Sequence, residues 1–256
     1  MTDRVVLDIV GLPVGVVAQH MPAGWMSKRL QSLVSTRTPS TWVEVRSPEI
    51  EDILAAAIAV RIEQGSDLLV HAGAVAWQGS AVIIPGASGC GKSTLAASCV
   101  MRGMGYMTDE MVAIDLQSLH ITGFGRPIML TPWSANQLGV ARGGALTQTT
   151  AAKIDMAPST LGGHTIVEAL PVRHVVLPAG KELPTPSVAA SPMEVLAALL
   201  QSSFNHYRFG EAAWRACAEL ARESAGWRLS TMHPIDAGSV IAALAQGQTA
   251  VSTAAK

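Results

Sequence analysis

The sequence predicts an α/β protein in which a glycine-rich loop forms the centre of the core. A small β-rich part precedes that core and a helical cap follows it. Three observations carry this reading. A strand-like run at 80–86 breaks into glycines and resumes at Lys92-Ser93-Thr94 as a helix former. Residues 4–18 and 41–46 carry the valines and alternation of short strands. The last third is punctuated by helix caps and stops.

Taken in order, residues 4–18 mix valines with Gly11, Pro13 and Gly15, which predicts two short strands joined by a turn. "TWVEVR" at 41–46 reads as a third strand. Ser47-Pro48 then predicts a helix start, with serine as cap, proline in the first turn, and Glu49, Glu51 and Asp52 near the positive end; the helix runs to about Gly65. Residues 67–77 and 80–86 read as strands around a Gln78-Gly79 turn, and 92–103 as a helix stopped by Gly103. A brief strand returns before Asp109, and 111–125 reads as a hairpin. From 126 to 190 periodicity is poor, which predicts irregular loops with one strand near 172–177. Ser191 and Glu194 are spaced as a capping box; a second helix covers about 210–223, "WRLS" is a strand, and Asp236 caps a last helix to about 246. The expected division is 1–66 as a β-rich subdomain with one helix, 67–247 as the core with its C-terminal helices, and 248–256 as a flexible tail.

The bulk numbers narrow the function classes. At 256 residues, 49% hydrophobic and 14% charged, the chain is compact and globular, one large domain or two small ones. Eighteen basic and nineteen acidic residues give a net charge of -1, so no basic field draws in nucleic acid or an anionic membrane. Cysteines 90, 99 and 217 are widely spaced and lack a CxxC pattern, the mark of reduced thiols rather than a disulfide framework or zinc site. The N-terminus has no long apolar stretch, and the alanine-rich run at 53–60 is too short to span a bilayer. A cytoplasmic location is expected.

Gly86-Ala87-Ser88-Gly89-Cys90-Gly91-Lys92-Ser93 fits GxxxxGK[ST], the P-loop or Walker A pattern, at every required position. Glycines let the loop curl so that successive N–H groups converge on a phosphate, and a helix beginning within the loop aims its positive end at the same place. Residues 86–94, including Thr94, are thus the expected nucleotide-binding segment, with Lys92 on the β- and γ-phosphates and the Ser93 hydroxyl on Mg²⁺. The expected cofactors are ATP and Mg²⁺.

Phosphoryl transfer also needs metal ligation and a base. Asp109 and Glu110 follow Lys92 by only 17 and 18 positions. That room holds the phosphate-binding helix, one turn and a short strand, at whose end the two acids would face the phosphates. His71, in "LLVHAGAV", falls at the end of the strand before the loop strand.

Together, "LVHAGAVAWQGSAVIIPGASGCGKSTLAASCVMRGMGYMTDEMVAIDL", "FGRPIML" and "LLQSSFNHYRF…WRACAELARESAGWRLS" resemble the HPr kinase/phosphorylase-like kinases, whose fold is related to phosphoenolpyruvate carboxykinase. The resemblance covers roughly 67–245 and is densest at 67–130. It implies an HPr kinase C-terminal-domain type of core and an ATP-dependent serine kinase. It places Lys92 on the phosphates, Ser93 on magnesium, Asp109 as base toward an acceptor serine, Glu110 as a second metal or water ligand, and His71 beside the acceptor. Arg126 would neutralise the transferred phosphoryl group, and Lys153 is a further candidate. The relatives include peptide-tailoring kinases of lasso-peptide type, so a peptide or protein serine is the expected partner; a homo-oligomer stays open. Thr94 after the loop serine, Glu110 in place of a second aspartate, and only a distant echo at 141–146 of a glycine-rich segment tied to phosphorolysis are departures that argue against phosphorylase activity, HPr as acceptor and a hexamer. Two other readings stay open: a nucleotide sensor that transfers nothing, and a kinase of a small molecule such as free serine.

Overall fold

The computed structural model describes residues 1–47, 49–140 and 153–248. Pro48, the 141–146 echo and all but the first residue of the expected tail lie outside them.

The N-terminal strands form where the alternation places them. β1 (Thr2–Ile9) and β2 (Leu12–Gln19) pair antiparallel, and β3 (Trp42–Val45) joins β2 in parallel. Between β2 and β3 lies α1 (Trp25–Arg29), which the sequence reading does not contain. Buried Asp3 fixes its start by accepting from the Gly24 and Met26 N–H groups, both at 2.8 Å. α2 (Ile50–Gln64) begins later than expected, with Glu49 and not Ser47 at the cap position. Ser47 Oγ accepts from Glu49 N–H at 3.2 Å, and that local turn uses the oxygen before the helix starts. Val5, Leu7, Val14, Val16, Ile53 and Leu54 bury one another here, and the same apolar cluster takes in Leu69, Met111 and Phe124. The N-terminal core is therefore continuous with the main one.

The main sheet starts with β4 (Leu68–Trp77) and β5 (Ser80–Pro85), joined through Gln78 and Gly79 at φ 47° and 76°, the positive pair of a type I′ hairpin. α3 (Lys92–Met101) follows the glycine loop; then come β6 (Gly105–Thr108), β7 (Met111–Ile114) and β8 (Ile121–Gly123). The stretch expected to be irregular holds β9 (Ile128–Leu130), α4 (Pro132–Gln137) and β10 (Ile154–Met156), and, after a 3₁₀ turn at Pro158–Leu161, β11 (Val172–Pro178) and β12 (Ser187–Ala189). Of these only β11 matches the expected strand. α5 (Pro192–Gln201) opens on the expected capping box, with Ser191 Oγ and Glu194 Oε2 each accepting from the other's N–H. α6 (His206–Phe209), α7 (Glu211–Glu223), β13 (Ala225–Leu229) and α8 (Pro234–Ala245) are the last elements among the described residues. His233, not Asp236, caps α8, because Pro234 takes the first helical position and leaves Asp236 in the first turn.

The sheet order is β12-β13-β11-β5-β4-β7-β8, with β6 also on β4. β5, β11 and β13 are parallel, so the segments after their C-terminal ends emerge on one side. α3 and α8 pack on one face around Val75, Val82, Ile84 and Ile241. α5 and α7 cover the other around Val70, Ile83, Leu199 and Leu220. Among the described residues no helix is long and apolar enough to cross a membrane.

Candidate active site

The site forms where the middle of β4 meets three other segments. Ala72 pairs with Pro85, so the glycine loop leaves the sheet beside it. β7 pairs with Leu68–His71 and β6 with Ala74–Ala76, leaving Asp109 and Glu110 in the gap between the two strands. Glu110 O accepts from the Ala72 N–H at 3.2 Å in that gap. The β7–β8 register pairs Val112 with Gly123, and Phe124 N–H bonds Met111 O. Continued by two places, that register sets Arg126 against Asp109.

Gly89 and Gly91 sit at φ 83° and 98°, conformations that cost any other residue. Gly91 is the cap residue of α3, whose first turn holds no acid, so the positive end of the helix is uncompensated there. Lys92 is 5% exposed; its Nζ folds back to donate to Gly86 O at 2.8 Å and Ala87 O at 2.7 Å. Burial lowers the Lys92 pKa, opposed by Cys90, Glu110 and Asp109. Thr94, expected among the nucleotide-binding residues, directs its hydroxyl to Ser134 Oγ at 2.7 Å and so ties α3 to α4.

Asp109 is 1% exposed, and both of its carboxylate oxygens accept hydrogen bonds, Oδ2 only one. Oδ1 accepts from Tyr106 Oη at 3.1 Å and Arg126 Nε at 2.9 Å, and Oδ2 accepts from Met129 N–H at 3.0 Å. Burial alone would raise its pKa, but the Arg126 charge, the Arg126 and Met129 hydrogen bonds and a smaller contribution from the Ser93 hydroxyl hold it below the ordinary carboxylate value. Arg126, itself 5% exposed, also donates Nη2 to Glu110 Oε2 at 2.8 Å, so one guanidinium bridges both acids. Glu110 differs from Asp109 in keeping a quarter of its side chain exposed, 25%.

His71 Nδ1 lies 2.8 Å from Glu110 O, which can only accept, so Nδ1 carries the proton and Nε2 is the open acceptor of the neutral ring. Burial, and then the Lys92 charge, lower its pKa, and the Glu110 carboxylate at 3.5 Å opposes them. Phe204 packs edge-on against the ring at 5.5 Å between centroids.

These groups line one cavity of about 280 Å³ that takes in His71, Ser88, Gly89 and residues 91–94 of the loop, Asp109, Glu110, Arg126 and Lys153. Of the sequence-expected residues, Gly86, Ala87 and Cys90 line instead the neighbouring cavity beyond His71. Lys153, beside β10, is paired at 3.1 Å with Glu51 of α2. Sequence reading missed Tyr106, the Met129 N–H and Ser134, all of which hold the expected residues in place. Tyr106 alone carried a signal: a tyrosine three residues before Asp109 in a short apolar strand.

The donors suit a hard cation carried in with phosphates. Mg²⁺ is ordinarily held by one or two carboxylates plus phosphate oxygens. The Ser93 hydroxyl, Asp109 and Glu110 are oxygen donors on one cavity. Among the described residues no cluster of three or more His, Cys, Asp or Glu side chains is placed to hold a metal by itself.

No protein-family model matches the chain, and no curated protein matches it. Among solved structures it is similar to the HPr(Ser) kinase/phosphatase from Coxiella burnetii, at 14% identity and a TM-score of 0.41, over 70% of this chain and 88% of that one. That is a distant likeness in fold.

Proposed function

We propose that the protein transfers the γ-phosphoryl group of Mg·ATP to a serine hydroxyl of a peptide or protein. The observation that carries the reading is the shared cavity: a glycine loop opening a helix and a buried, ionised Asp109 held by Arg126 face the same space. A binding module needs the first of these; the second supplies the carboxylate that transfer to a hydroxyl also needs.

The loop amides and Lys92 would bind the β- and γ-phosphates, exchanging the Lys92 contacts to Gly86 O and Ala87 O for phosphate oxygens. Ser93 and Glu110 would hold Mg²⁺, which neutralises charge on the phosphates when bound. Asp109 would accept the proton of the acceptor hydroxyl as its oxygen bonds to phosphorus and the bond to the ADP oxygen breaks. Its depressed pKa keeps it ionised at neutral pH. A loose transition state leaves little charge on the attacking oxygen and so demands little basicity. Arg126 would neutralise the transferring group, and His71, neutral with Nε2 open, would orient the hydroxyl. Such a site works by positioning and preorganised charge.

Incubation of the protein with Mg·ATP and a panel of serine-containing peptides, read by mass shift, tests the proposal. A gain of one phosphate on a serine is expected. Hydrolysis of ATP with no acceptor modified, free serine included, would replace the proposal with the nucleotide-sensor reading. Labelling of free serine alone would make the protein a small-molecule kinase.

A further inference from the structure

We propose that the hollow beside the first turn of α3, on the α8 side, holds the base of the nucleotide. The donor is then a nucleoside triphosphate and not pyrophosphate or a polyphosphate. The inference rests on the loop being a phosphate site, as above.

The hollow has a volume of about 160 Å³ and no charged side chain among its lining residues. Leu95, Trp133, Pro178, Leu229 and Met232 supply its apolar walls. It lies past the C-terminal ends of β11 and β13, which run parallel to the loop strand β5, the side on which open α/β sheets bind ligands. It adjoins the phosphate cavity, with Gly91, Thr94 and Trp133 lining both. The larger cavity beyond His71, about 480 Å³, shares only His71 with the phosphate cavity. That larger cavity also touches the loop, at Gly86, Ala87 and Cys90, but a ligand whose anionic end sits at residues 91–93 meets the apolar hollow directly along α3, toward Trp133 and Met232.

The ring that would meet the base is held firmly. Trp133 is 62% exposed, yet α4 beneath it is capped by Thr131 and tied through Ser134 to Thr94 in the loop helix. A large indole left in solvent on a fixed short helix is a ready stacking surface, and base–aromatic stacking recovers much of its exposed apolar face.

Calorimetric titration of the full chain with ATP and with tripolyphosphate, each with Mg²⁺, separates the inference from the reading beneath it. ATP is expected to bind roughly tenfold or more tightly than tripolyphosphate, from burial and stacking of the base. Trp133→Ala and, separately, Met232→Ala should each remove most of that advantage. Trp133 is exposed, so its loss leaves the fold intact. Equal affinities in the wild type, or an advantage undiminished in both variants, would overturn the base hollow and leave the loop standing. Binding of neither ligand would overturn the phosphate loop itself.

Discussion

Replacing Arg126 by methionine keeps an apolar stem in place and removes the charge that both acids share. Arg126 is 5% and Asp109 1% exposed, so the change strands a carboxylate in the interior. Removing one partner of a buried ion pair costs about 3–5 kcal/mol, because the other charge stays desolvated. Asp109 keeps its bonds from Tyr106 Oη and Met129 N–H, which places the expected loss near the lower end, about 3 kcal/mol. Glu110, with 25% of its side chain exposed, turns to water and adds less than about 1 kcal/mol. The pH dependence gives a sharper signature. In the wild type the Asp109 pKa lies below its ordinary value, so its contribution is complete at neutral pH and is lost only as pH falls through the folded pKa. In Arg126→Met burial is no longer outweighed and the pKa rises above the unfolded value. The variant therefore loses stability as pH rises, and its gap to the wild type widens from about pH 5 to about pH 7.5. Urea unfolding at both pH values measures the gap. A loss under about 1 kcal/mol at neutral pH would refute the buried-pair argument. So would a gap that does not change with pH, or an Asp109→Asn/Arg126→Met double variant no more stable than Arg126→Met.

Two further outcomes are expected. Cys90 is the exposed cysteine of the loop, whereas Cys99 and Cys217 are buried with thiols pushed up to about 12; a thiol reagent should modify one site in the native protein, and Mg·ATP should slow that reaction severalfold, an unchanged rate speaking against nucleotide in the loop. Ser191→Ala removes the capping box of α5 and should cost about 1 kcal/mol in thermal or urea unfolding, with Ser191→Thr restoring most of it.

Legibility in the sequence followed the range of the interaction. The Gln78-Gly79 hairpin, the glycine loop and the Ser191 capping box are set by residues within a few positions of one another, and they lie where the sequence places them. The helix starts at α2 and α8 are local too, but the expected caps, Ser47 and Asp236, give way to Glu49 and His233. Ser47 spends its hydroxyl on Glu49, and Pro234 fixes the first turn of α8 one residue after His233. Among the described residues between 126 and 161 the elements are too short for periodicity to register: β9 and β10 have three residues each and α4 six. The long strand β4 hides the rest. Its pairing with both β6 and β7 creates the gap that holds Asp109 and Glu110, and no run of the sequence marks it. The Arg126–Asp109 pair likewise depends on the β7–β8 register, a contact between residues 17 positions apart.

The central claim is that Asp109 acts on a hydroxyl brought to the phosphate held by the loop. The most direct measurement compares wild type and Asp109→Asn for binding of Mg·ATP and for transfer of its γ-phosphate to the peptide identified by mass shift. The expected result is near-equal nucleotide affinity with transfer slowed by about 10²–10⁴, the usual worth of a general base. Equal transfer rates in the two proteins, with affinity unchanged, would contradict the account.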